Sequence, residues 1–77
     1  MDWITNLLNS NNRTLHSAGV DAAEFMGCIN RGDSMGAWAA LLRFHIHASN
    51  ADADDNLTMG VLAINGLVKL KLTACDV

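Results

Sequence analysis

The side chains with the widest chemical range in this sequence are His16, His45, His47, Cys28 and Cys75. Nitrogen and sulfur donors of these kinds build zinc sites, in which ligands come as close pairs such as Cys-x-x-Cys or His-x-x-x-His. Neither spacing occurs here. His45 and His47 stand two apart, and on a helix that step sends side chains to different sides. One histidine at the edge of the core and one in solvent is the expected arrangement, with no metal and no cofactor. Thiol catalysis needs a cysteine activated by a neighbouring base, and Cys28 could meet His16, His45 or His47 only through tertiary proximity. Because Cys28 lies beside an apolar stripe, a buried and inert thiol is expected instead, and with it no catalytic site.

The carboxylates pose a second question. Asp52, Asp54 and Asn56 fall on the first, third and fifth positions of a calcium-loop pattern, whose oxygen donors suit a hard cation. The pattern then fails, with Leu57 where glycine makes the turn and Ala63 where a bidentate glutamate closes the site. A solvated acidic loop, its carboxylates next to the positive end of a following helix, is the simpler reading. Arg31-Gly32-Asp33 matches the tripeptide recognised by integrins, yet the same residues can end one helix and cap the next. Asn12-Arg13-Thr14 and Asn56-Leu57-Thr58 are formal glycosylation sequons, relevant only to a chain that enters a secretory pathway.

The charge balance narrows the partners. Five basic residues, Arg13, Arg31, Arg43, Lys69 and Lys71, are scattered among eight acidic ones for a net charge of −3. Phosphate-backbone binding needs clustered positive charge, so no nucleic-acid role is expected. Hydrophobic residues make up 51% of the chain, and the mean hydropathy is +0.18. The purest apolar run, Ala37 to Leu42, is too short to cross a bilayer. No membrane partner is expected, and the chain opens without the features of a secretory signal. Two cysteines make no disulfide framework, so both thiols are expected free in a reducing cytoplasm.

These groups must be held by a fold, and 77 residues allow one core and one domain, residues 1–77. Asp2 can cap a short helix carrying Trp3, Ile4, Leu7 and Leu8, ended by the polar run Asn9 to Asn12. A second helix is predicted over 13–30, with Leu15, Ala18, Ala22, Phe25, Met26 and Ile29 as its stripe and Gly32 as its left-handed stop. Asp33 or Ser34 caps a third through about Ser49, whose buried stripe is read as Met35, Trp38, Ala39, Leu42 and Ile46. Gly36 and Ala40 mark a side for close helix approach, within one chain or between copies.

From Asn56 onward the pattern is double. Leu57, Val61, Ile64, Val68, Leu72 and Cys75 fit a helical stripe, while Asn65-Gly66 and the alternation of Val68, Leu70 and Leu72 would suit a β-hairpin. The longer stripe favours a fourth helix, so the expected fold is all-α, a three- or four-helix bundle.

For function, the sequence points to a non-enzymatic helical module that self-associates, a dimer first, and binds a protein partner as a small regulator or inhibitor. Leu41, Phe44, Leu62 and Leu67 lie off the predicted core lines and, together with Trp38 of the third helix's stripe, form the expected interaction surface. The competing reading is a binder of a small anion, in a pocket between helices or subunits where Trp3 or Trp38 stacks and Arg13, Arg31 or Arg43 supplies charge.

Overall fold

A computed structural model of the protein describes the backbone of residues 2–51 and 54–75 and the side chains of 3–51 and 54–69. Among these residues there are four helices and no strand: α1 (Asp2–Leu8), α2 (Arg13–Arg31), α3 (Ser34–Asn50) and α4 (Asp55–Cys75). Asn65 and Gly66, the candidate hairpin turn, lie exposed inside a continuous α4. A lone two-stranded hairpin would gain little in water, whereas the helix brings Leu57 and Ile64 onto the core. The side chains of Leu72 and Cys75 lie outside the described residues.

Four of the helix boundaries have a clear local cause. Asn12 caps α2, its side-chain oxygen accepting from the Thr14 and Leu15 N–H groups at 2.9 and 3.3 Å. At the other end Gly32 takes φ +75°, a conformation that glycine enters without strain. The Asp33 and Gly32 N–H groups then donate to the Cys28 and Ile29 carbonyls at 2.9 and 3.2 Å, closing a Schellman turn. Asp33 in turn caps α3 by accepting from the Gly36 N–H at 2.9 Å. Arg31-Gly32-Asp33 therefore joins two helices within two linking residues, which forces α2 and α3 to pack antiparallel. Asp54 starts α4 in the same way, accepting from the Asn56 and Leu57 N–H groups at 2.9 and 3.3 Å.

The shortest helix ties the others together. Trp3 and Leu7 of α1 are buried, with the Trp3 ring set edge-on to Phe44 of α3 at a centroid distance of 6.5 Å. The same ring lies so close to Gly60 of α4 that a Cβ there would come within 2.6 Å of it. On its other side α1 meets α2 at Gly19, where a Cβ would fall 2.8 Å from Leu7 Cβ. Asn6 adds a polar tie to α4, donating to Asn56 Oδ1 at 3.0 Å. Around this anchor the core gathers Ala18, Ala22, Phe25, Ala40, Leu41, Phe44, Leu57 and Ile64.

Candidate interaction surface

The α2 stripe is inward as expected, with Ala18, Ala22 and Phe25 buried and Leu15, Met26 and Ile29 half-buried. On α3 the expectation is overturned. The predicted core stripe faces solvent, with Met35 83%, Trp38 46%, Leu42 61% and Ile46 59% exposed, and Ala39 exposed beside them. The buried face is the opposite one, Ala37, Ala40, Leu41 and Phe44. Leu41 and Phe44, placed on the expected interaction surface, are therefore core residues. Trp38 and Leu62 are exposed, and Leu67 is half-buried.

Two features turn α3 this way. Its start lies so close to α2 that a Cβ on Gly36 would fall 2.9 Å from Cys28 Sγ, and only small residues allow that approach. Gly36 and Ala40 thus serve helix contact within one chain. The second feature is Asp21, a carboxylate set among the buried residues of α2. A buried charge without partners is costly, and α3 supplies two partners one turn apart. His47 Nδ1 meets Asp21 Oδ2 at 2.5 Å, and Arg43 Nε reaches Asp21 Oδ1 at 3.4 Å. Arg43 also donates from Nη2 to Glu24 Oε2 at 2.8 Å. Glu24 pushes the Arg43 pKa above its ordinary value, with a smaller upward push from Asp21. Rotating Met35, Trp38 and Leu42 inward would carry Arg43 and His47 off this carboxylate.

The sequence carries a signal for this network that the search for metal and thiol chemistry does not find. Asp21 sits at helical spacing among Ala18, Ala22, Phe25 and Cys28, and a carboxylate inside an apolar stripe calls for a cation. Arg43 and His47, four apart on the next helix, are the matching pair.

The other candidate groups have structural partners. His45 is exposed, its ring edge-on to Phe44 at 6.1 Å, so the two histidines part to different sides as expected. His16 Nδ1 lies 2.8 Å from the Leu8 carbonyl at the end of α1. Cys28 is buried and accepts from Arg31 Nη2 at 3.4 Å. It faces the first turn of α3, and at 1.5 Å rise per residue His45 and His47 stand about 13 Å or more further along that helix. His16 is about 18 Å away along α2 by the same measure. Asp54 and Asn56 of the partial calcium pattern are engaged in capping and in the tie to Asn6, and Asp52 lies outside the described residues.

The groups named for an anion site are dispersed. Trp3 is in the core, Arg43 is held by two carboxylates, and Arg31 leans on Cys28. A groove of about 270 Å³ runs between the end of α3 and the start of α4, lined by Ala48, Ala51, Leu57, Val61 and Leu62 with Asp54 and Thr58, and it contains no basic side chain. Among the described residues no helix is long and apolar enough to cross a membrane. No known family, curated protein or solved structure matches this chain.

Proposed function

We propose that this chain is a non-enzymatic helical interaction module that binds a protein through the outer face of α3, as a small regulator or inhibitor does. One observation carries the reading: α3 is apolar on two opposite faces, and its own fold covers only one of them. A helix apolar all round is ordinarily buried all round, and a contiguous exposed apolar patch on a small domain is most often a contact surface. A reducing cytoplasmic setting, in which thiols such as buried Cys28 stay free, belongs to the same reading.

The test is a comparison of two baits in the native host, the wild-type chain and a Leu42→Glu, Ile46→Glu variant whose helical circular dichroism spectrum is unchanged. Proteins retained by wild type and lost from the variant are the expected result. Identical captured sets from both baits would sink the reading, because the outer face would then contribute to no contact.

A further inference from the structure

We propose that the occupant of the outer face of α3 is a second copy of this chain, docked antiparallel about a twofold axis that passes beside Leu42. The inference rests on the reading of α3 as a contact face and names its partner. Three observations carry it.

The first is spacing. Met35, Trp38, Leu42, His45 and Ser49 follow steps of three and four, with Ala39 and Ile46 beside them, which is the seam of two helices packed at a shallow angle. The seam is also symmetric in position about Leu42. An antiparallel copy sets Trp38 against the partner's Ile46, Ala39 against the partner's His45, Met35 against the partner's Ser49, and Leu42 against its own mate. A self-complementary face is what a twofold interface requires.

The second is charge. The chain carries a net charge of −3, so copies repel at long range, and a self-contact must keep like charges apart. The seam has no aspartate, glutamate, lysine or arginine. Its one titratable group, His45, is set opposite alanine rather than opposite itself. Arg43, the basic residue flanking the seam, is already held by Asp21 and Glu24.

The third is area. At their observed exposures Met35, Trp38, Leu42 and Ile46 offer on the order of 500 Å² of apolar surface. Two such faces bury roughly 1,000 Å² together, the lower bound for a specific interface. An interface of this size lies at the low end, among weak and transient contacts, so association is expected at micromolar rather than picomolar concentration.

Sedimentation equilibrium under reducing conditions and site-directed cross-linking test this together. The wild-type chain is expected to pass from 8.3 kDa to twice that mass across micromolar concentrations, and Leu42→Glu to raise the dissociation constant roughly 100-fold or more by placing two carboxylates at the axis. In a Cys75→Ser background Leu42→Cys should cross-link to itself on oxidation. Met35→Cys should not cross-link alone but should do so when mixed with Ser49→Cys. A chain that remains at 8.3 kDa overturns the second copy, and so does a dimer in which Met35→Cys joins to itself, the mark of a parallel or different contact. If the chain stays monomeric while the bait comparison still separates wild type from variant, the contact face stands and only its occupant is wrong. Failure of both measurements removes both.

Discussion

The two faces of α3 draw on the same kinds of residue and have opposite fates. Inward are Ala37, Ala40, Leu41 and Phe44; outward are Met35, Trp38, Ala39, Leu42 and Ile46. If hydrophobicity alone chose the buried side, the outward set with its tryptophan and methionine would compete well. Shape and charge decide instead. The inward face begins with small residues that let α2 approach, and it continues into Phe44, which meets Trp3 edge-on. Its flank holds Arg43 and His47, without which Asp21 would be buried unpaired. The comparison teaches that when a helix is apolar on both sides, the polar residue trapped on its neighbour sets its rotation.

The contrast predicts a ranked set of effects. Truncating the inward face should hurt most: Phe44→Ala leaves a cavity beside Trp3 and should cost about 3–5 kcal/mol, enough to unfold a chain this small. Urea denaturation followed by circular dichroism measures it, and a cost below about 1 kcal/mol would break the comparison at its base.

Next comes the residue that sets the rotation. Asp21→Ala is expected to cost about 1–2 kcal/mol by ending its hydrogen bonds to His47 and Arg43, a loss kept modest because both partners are more than a third exposed and can turn to water. A double-mutant cycle with His47→Gln should show that the two effects do not add, since they report one contact. Strict additivity would mean that Asp21 matters for some reason other than orienting α3.

Close approach offers a paired test. Gly36→Ala puts a methyl group against Cys28 Sγ and Asp33 and should destabilise by about 1–3 kcal/mol, despite the better helix propensity of alanine. Gly66→Ala enters open space on α4 and should stabilise by about 0.5–1 kcal/mol. Chemical denaturation of both variants should therefore give shifts of opposite sign.

The smallest effect belongs to the outward face. In dilute solution, where copies are apart, Leu42→Gln should change the unfolding free energy by no more than about 0.5 kcal/mol, although leucine is the more hydrophobic residue. A thermal melt well below the association range would reveal it. A loss comparable with that of Phe44→Ala would mean that Leu42 is covered within one chain and that the outer face is not free to bind.

How much was legible varies along the chain. Helix ends were readable because they are local: Asn12, Gly32, Asp33 and Asp54 act through backbone groups within a few residues, and the α2 stripe repeats without competition, whereas α4 also carries a hairpin pattern. The candidate site was legible in part. Trp38 and Leu62 are at the surface, although the sequence pattern also puts Trp38 on a core stripe, and Leu41 and Phe44 are buried, because α3 offers two stripes of similar apolarity.

By itself, then, the sequence determined a mostly helical chain and the ends of its first three helices, since periodicity, capping side chains and one left-handed glycine each act over less than two turns. That the last segment is a fourth helix rather than a hairpin depended on the core that Leu57 and Ile64 join. Only the tertiary structure decided how α3 is rotated. That choice depends on distances between helices: Cys28 against Gly36, Asp21 against Arg43 and His47, Phe44 against Trp3. Those residues are eight to forty-one positions apart, and no local pattern records which of them meet.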